Sequence, residues 1–245
     1  MNTKIFNLVL KNLQTSFSLP RYQKISGELG QNTVVQELPW TPARYSKFKD
    51  AMEAELQLPC DYVGTLREIV ADLSERYTHR FFAEIWRPRT GEYDHSGWAL
   101  VEEINKLQPE RVLDVGCGYH PFKGRINNII GIDPYNTAAD YEVDILEYRV
   151  THQYDVIMAL GSINFNSQDE IEERFAHCVN LLKPGGKFYL RANPGLSHKT
   201  GQYVDIFPWS FDIVNQFAEK YNLTLDVFKK EPTELGRLYF VYTKR

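Results

Sequence analysis

The chain has 245 residues, 43% of them hydrophobic, and carries a formal net charge of −4 at neutral pH. Residues 1–99 contain equal numbers of basic and acidic side chains, so the net negative charge comes from residues 100–245. These values exclude a protein that is basic throughout, as many nucleic-acid-binding proteins are, and they favour a globular protein with a substantial core.

The sequence predicts a cytoplasmic protein. Its first apolar run is interrupted by Asn7 and Lys11 and is too short for a signal peptide, and no stretch approaches the roughly 18 apolar residues of a membrane span. Cys60, Cys117 and Cys178 are odd in number and lack the spacing of metal ligands. Neither a membrane partner, a disulfide framework nor a metal site is therefore expected.

The first part of the chain is predicted to be helical. Apolar residues recur at helical spacing in "YVGTLREIVADLSERYTHRFF", and "RPRTGEYDHSG" then interrupts the pattern with proline and glycine. We therefore expect a helical N-terminal extension over residues 1–95, which caps the functional site of a second domain over residues 96–245. The apolar positions of the predicted helix are Leu66, Ile69, Val70, Leu73 and Tyr77.

The second part is predicted to be a doubly wound α/β domain with a mostly parallel, seven-stranded sheet. Short apolar strands alternate with helical or turn material, and the chain closes with an antiparallel hairpin. Ser167 and Glu170 form a predicted capping box for the helix before the fifth strand, which "KPGG" is expected to end. The first five strands are predicted at 111–115, 128–132, 141–143, 155–160 and 187–191, and the last helix from about Ser210.

The stretch "RVLDVGCGYHPFKG" marks the candidate ligand site. Asp114, Gly116 and Gly118 follow the first strand, at the sheet edge where open α/β folds bind ligands. The glycines permit a sharp turn and close backbone approach to a ligand. Pro121 stands where a dinucleotide-binding fingerprint has its third glycine, which argues against a nicotinamide-dependent dehydrogenase.

Further candidate ligand residues follow the next three strands. Asp133 can accept hydrogen bonds from the ribose hydroxyls of a nucleoside, and Asp144 can accept one from the exocyclic amine of adenine. Leu160, Gly161 and Ser162 end the fourth strand with backbone that can face the rest of the ligand. Each of these features alone could be a helix cap or a turn. Because such features follow each of four consecutive strands, they favour a single ligand site.

Together these motifs resemble those of class I S-adenosylmethionine-dependent methyltransferases. The resemblance covers about residues 96–245 and rests on "VLDVGCG", "GIDP", "VDIL", "YDVIMALGS", "LLKPGGKFYL" and the closing hairpin. It implies a Rossmann-like fold with S-adenosyl-L-methionine as cofactor. Asp114, Gly116, Gly118 and Leu160 to Ser162 would contact its methionine part, Asp133 its ribose, Pro134 the adenine face and Asp144 the adenine amine. The sequence is also similar to methyltransferase-like proteins of large tailed phages, which share "GCG-x-x-PFKG".

One departure from the family pattern follows the first motif. Fourteen residues separate Gly118 from Asp133 and begin "YHPF", so the usual first helix must be very short or replaced by a loop. We expect Tyr119 or His120 at the rim of the cofactor site, with His120 as a candidate proton acceptor or hydrogen-bond donor. The alternative is that this stretch merely fills the space of the missing helix.

The acceptor pocket is expected in the loops after the fourth and fifth strands. Asn164, Asn193 and His198 are the polar candidates there, and Asn193, His198 and His120 are the candidate catalytic residues, although a solvent-exposed His198 is an open alternative. The chain lacks the Asn/Asp-Pro-Pro-aromatic run of amino-directed base methyltransferases at this position, and its one Pro-Cys pair lies far upstream. We therefore expect a small-molecule acceptor. Protein or nucleic-acid acceptors, and a non-catalytic cofactor-binding or interaction module, stay open, and the sequence does not predict an oligomeric state.

Overall fold

The computed structural model describes residues 2–16, 40–194, 203–233 and 236–245. The chain divides into two compact units. One comprises Met1–Ile85 and Thr200–Asp205, and the other comprises Trp86–Lys199 and Ile206–Arg245. The domain boundary at residues 95 and 96 stays a prediction.

The first unit is built from helices. They are α1 (Thr3–Ser16), α2 (Pro42–Leu56) and α3 (Leu66–Arg80), and a single π-helical turn, Phe81–Ile85, follows α3. The apolar stripe predicted for α3 is buried, and Thr65 forms a capping box with Glu68 at its start. The Tyr203 hydroxyl donates to Glu55 of α2, which ties the short later segment to this unit.

The second unit contains a six-stranded sheet. The strands are β1 (Val112–Val115), β2 (Ile129–Ile132), β3 (Tyr154–Ala159), β4 (Leu182–Ala192), β5 (Leu223–Lys230) and β6 (Leu238–Lys244). Their order in the sheet is β2-β1-β3-β4-β6-β5, with β1 to β4 parallel and β6 antiparallel to both of its neighbours. This topology confirms the parallel-dominated α/β sheet and the antiparallel terminal hairpin that the sequence predicted.

The described residues of this unit form three helices, α4 (Ser96–Lys106), α5 (Gln168–Leu181) and α6 (Phe211–Lys220). Successive strand residues point to opposite faces, so β1, β3, β4 and β6 each contribute buried residues to two separate apolar clusters. One cluster packs α4 against the sheet, and the other packs α5 and α6. The predicted Ser167–Glu170 capping box is present, and the Ser210 side chain accepts a hydrogen bond from the N–H of Ile213 at the start of α6.

The count of seven strands is wrong for the described residues, because the segment predicted as the third strand makes a single bridge, from Tyr141 to Ile132. There the chain turns back on β2, and the N–H groups of Asp140 and Tyr141 both donate to the Gly131 carbonyl. This double use of one carbonyl interrupts the regular ladder of a strand.

The role predicted for "KPGG" is also wrong, because β4 begins at Leu182, directly after α5, and includes these residues. Along β3 the pairing passes from Tyr154–Leu182 to Val156–Lys187, so Lys183–Gly186 form a bulge, with Gly185 at a φ of 76°. In the described part of the chain, no helix is both long and apolar enough to cross a membrane.

Candidate functional site

The turn after β1 requires glycine at Gly116. The residue has a φ of 68°, and a Cβ there would lie 2.2 Å from the Cβ of Ser162. Ser162 occupies this position because its hydroxyl donates to the Val115 carbonyl at the end of β1. The structure therefore brings together two predicted site segments, the glycine turn after β1 and the loop after β3.

Asp133 lies against the second glycine of the turn. Its Oδ2 accepts a hydrogen bond from the Gly118 N–H at 2.9 Å, and its Oδ1 accepts one from the Tyr135 N–H at 2.8 Å. Burial raises the pKa of Asp133 above its ordinary value, although these N–H groups oppose the shift. The carboxylate is thus fixed beside the glycine turn by backbone N–H groups.

Asp114 is a buried carboxylate that makes no hydrogen bond within the described residues. Burial, and then the nearby charge of Asp133, raise the pKa of Asp114 from 3.8 to about 7. A buried acid without a partner is costly, so such groups are rare outside functional sites. A cationic ligand group would supply the missing partner.

Asp144 and Pro134 have different surroundings. The Asp144 carboxylate pairs with Arg174 of α5 at 3.3 Å and accepts a hydrogen bond from the Leu146 N–H at 2.8 Å. Pro134 is half-buried and directly follows Asp133. The ion pair and the hydrogen bond of Asp144 therefore account for its position without a ligand. Asp114 has no such contact within the described residues.

Asn164 connects the loop after β3 to the end of β4. Its Nδ2 donates to the Gly161 carbonyl at 2.9 Å, and its Oδ1 accepts from the Asn193 N–H at 2.8 Å. The Oδ1 of Asn193 is buried and has no hydrogen-bond partner within the described residues. Of the two asparagines, Asn193 thus has a free amide oxygen and Asn164 is occupied by the backbone.

A buried ion pair beside Leu160 was not predicted from the sequence. The guanidinium of Arg191, in β4, donates to the Glu92 carboxylate at 3.0 Å, to the Glu92 carbonyl at 2.6 Å and to the Leu160 carbonyl at 3.3 Å. Glu92 also pairs with Arg237. The one sequence signal was an arginine directly after the apolar residues 188–190 of β4, and its partner lies 99 positions away.

His120 is not at the rim of the turn. Its side chain is 1% exposed, and its Nε2 lies 2.9 Å from the Asp140 carboxylate. Tyr119 is exposed instead, and its ring stacks on that of Trp86 with 6.4 Å between the centroids. The expectation of turns in place of the first helix is met, since residues 119–128 contain no helix. His198 lies outside the described residues.

The three cysteines are buried and free. Burial raises the pKa of each thiol, so none has the character of a reactive thiolate. Within the described ranges, no group of His, Cys, Asp and Glu side chains could hold a metal ion.

Comparison with known proteins finds no matching family model and no matching curated protein. Solved structures do match. The N-methyltransferase NodS of Bradyrhizobium japonicum, in complex with S-adenosylhomocysteine, is 14% identical with a TM-score of 0.54, over 70% of this chain and 98% of that one. The 1,6-didemethyltoxoflavin-N1-methyltransferase of Burkholderia thailandensis is 14% identical with a TM-score of 0.53, over 73% and 89%.

These likenesses show the fold. The second unit has the Rossmann-like α/β fold of S-adenosylmethionine-dependent methyltransferases, with a glycine turn after β1 and an acidic residue after β2.

Proposed function

We propose that the protein transfers a methyl group from S-adenosyl-L-methionine to a small-molecule acceptor. The observation that carries this proposal is the unpartnered carboxylate of Asp114 beside the glycine turn of a methyltransferase fold. The methionine part of the cofactor has an ammonium group, and a buried anion without a partner favours such a cation.

The other residues around the turn fit the rest of the cofactor. Gly116 and Gly118 have φ values of 68° and 53°, which let the chain turn sharply beside Asp133, and their backbone would contact the methionine part. Asp133 is fixed by backbone N–H groups and would accept from ribose hydroxyls. Leu160, Gly161 and Ser162 would contact the methionine part from the loop after β3.

The adenine contacts are a finer part of the proposal. Pro134 would pack on the adenine face, and Asp144 would accept from the adenine amine with a lone pair that Arg174 and Leu146 leave free. The amine would therefore share the carboxylate with Arg174.

When bound, the cofactor supplies an electrophilic methyl group, which a nucleophile of the acceptor takes as the sulfonium becomes a neutral thioether. The contribution of the protein is mainly to hold the two partners in line. We place the acceptor beside Asn193, whose free amide oxygen can accept a hydrogen bond from an N–H or O–H group of the acceptor. That contact would orient the nucleophile. His198 remains a proposed second polar contact.

The two structural neighbours support a small acceptor. One is named for methyl transfer to 1,6-didemethyltoxoflavin, a small molecule that its structure contains together with S-adenosylhomocysteine. The other is named an N-methyltransferase. We extend to this chain the small-molecule class, and not either substrate. The resemblance to phage proteins does not indicate a substrate. We also propose that residues 1–95 cap the acceptor site.

Titration calorimetry with S-adenosylhomocysteine tests the cofactor site. We expect the native protein to bind with a micromolar Kd and Asp133→Ala to bind at least about tenfold more weakly, because hydrogen bonds to a charged group are lost. Glu110→Gln is the matched control. It removes an exposed carboxylate that pairs with Lys183, and it should bind like the native protein.

Two results would contradict the proposal. The first is that neither S-adenosylmethionine nor S-adenosylhomocysteine binds the native protein. The second is equal binding by Asp133→Ala and the native protein, with thermal unfolding showing that the variant is folded. If binding is found, a panel of small amines, phenols and heterocycles should be screened for production of S-adenosylhomocysteine.

A further inference from the structure

The chain between β1 and β2 needs another support in place of a helix. A long helix at this position would fix the glycine turn by packing on the sheet, but residues 119–128 form a series of turns. His120 has a φ of 52°, a left-handed conformation that costs free energy for a residue other than glycine. Contacts of its side chain must offset this cost.

The His120 ring is buried against β2. A Cβ on Gly131 would lie 2.7 Å from two atoms of the ring, so glycine at this position in β2 makes room for the histidine. Its Nε2 lies 2.9 Å from Oδ2 of Asp140. The ring is thus held both by close packing and by a hydrogen bond.

Asp140 joins this ring to the strand. Its Oδ2 also accepts the Gly131 N–H at 2.9 Å, and its Oδ1 accepts from Lys123. Burial acts to raise the pKa of Asp140, but the hydrogen bonds from Lys123, Gly131 and His120 together lower it to about 2. The carboxylate is therefore an anion that bridges the turn and β2. We call the side chains of His120 and Asp140, with the Gly131 backbone, the His–Asp clamp.

The clamp lies next to two parts of the cofactor site, the glycine turn after β1 and Asp133 after β2. His120 follows Gly118 by two positions and closes a turn through its N–H to the Cys117 carbonyl at 2.9 Å. Gly131 precedes Asp133 by two positions in the chain. The clamp thus fixes the distance between the segments that the Gly118–Asp133 hydrogen bond joins.

We propose that His120 and Asp140 are positioning residues that hold the glycine turn against Asp133 in the geometry that binds the cofactor, in place of the missing helix. This inference rests on the proposed function. It assigns His120 a role different from the proton acceptor predicted from the sequence, because the ring packs on β2 and its Nε2 is bonded to Asp140.

Two substitutions at His120 separate the hydrogen bond from the rest of the side chain. His120→Leu removes the hydrogen-bond donor to Asp140, whereas His120→Gln keeps an N–H donor on a side chain of similar length. Leucine and glutamine both pay a free-energy cost at a positive φ, so the two variants can be compared directly. Lys123→Gln is the control. It removes a cationic partner of Asp140, but the Lys123 side chain is 59% exposed. Asp140→Asn serves as a second route if His120→Leu does not fold.

Amide hydrogen exchange over residues 116–122, without ligand, reports on the turn itself. Titration with S-adenosylhomocysteine reports on the site. We expect His120→Leu to exchange faster in this segment and to bind about tenfold more weakly. His120→Gln should restore both properties to within about threefold of the native protein, and Lys123→Gln should change neither by more than that. Turnover at saturating cofactor should stay near the native value, because weaker cofactor binding raises the KM for S-adenosylmethionine and leaves kcat unchanged.

The proposal is overturned if His120→Leu and His120→Gln behave alike, or if exchange increases while affinity is unchanged. A fall in turnover at saturating cofactor with unchanged KM would also overturn it and would favour a direct role in the reaction. Failure of the native protein to bind S-adenosylhomocysteine refutes the proposed function instead. In that case the exchange measurement still shows whether the clamp holds the turn.

Discussion

Replacing Asp114 with asparagine should stabilise the unliganded protein and remove its affinity for S-adenosylhomocysteine. The side chain keeps its size, but the buried negative charge is lost. A rise in the pKa of Asp114 from 3.8 to about 7 on folding corresponds to roughly 4 kcal/mol of destabilisation above pH 7. The group that we propose for cofactor binding therefore lowers the stability of the free protein.

The sign of the pH dependence follows from this shift. Below about pH 4 the carboxyl is protonated in both the folded and unfolded states, so it has no effect on stability. Between about pH 4 and pH 7 the unfolded chain releases the proton and the folded chain retains it, so the native protein loses stability relative to Asp114→Asn as the pH rises. From pH 4.5 to 7.5 the difference in the free energy of unfolding should grow by about 3 kcal/mol.

Urea denaturation of both proteins at several pH values in this range measures the difference. Asp155→Asn is a control of opposite sign. Burial acts to raise the pKa of Asp155, but the hydrogen bond from Lys183 and its other partners lower it, so the native protein should lose stability relative to this variant as the pH falls. A stability difference between native protein and Asp114→Asn that is independent of pH would refute the reasoning. A proton on Asp114 competes with the ligand ammonium group. The Kd of the native protein for S-adenosylhomocysteine should therefore be about tenfold higher at pH 6 than at pH 7.5.

Two further substitutions test the geometry of the site. Gly116→Ala should lower the midpoint of thermal unfolding and weaken S-adenosylhomocysteine binding in calorimetry, because the new Cβ meets the Ser162 side chain at 2.2 Å; adding Ser162→Gly should restore part of both, and no restoration would contradict the clash. Asn193→Ala should leave stability and S-adenosylhomocysteine affinity nearly unchanged, because its amide oxygen has no partner, but should lower kcat/KM for an identified acceptor; unchanged kcat/KM would place the acceptor elsewhere.

Much of the fold could be predicted because its signals are local. The apolar spacing in α3, the capping box at Ser167 and the short buried strands all act within a few residues of the chain. The sequence predicted a helical extension over residues 1–95 but not the bounds of α1, because Asn7 and Lys11 interrupt its apolar run, although five apolar positions on that helix are buried. The bulge in β4 was also missed, since a helix stop and a strand bulge both use proline and glycine.

The sequence alone determined the glycine turn, the acidic residue after β2 and the loss of the first helix, because each depends on residue type and on short spacing. The tertiary structure decided which of these residues are free to act. His120 pairs with Asp140 and Asp144 pairs with Arg174, whereas Asp114 has no hydrogen-bond partner among the residues that the structure describes, and no local pattern contains that difference. Hydrogen bonding and desolvation depend on what other parts of the chain bring near a group, and so they are fixed only when the chain has folded.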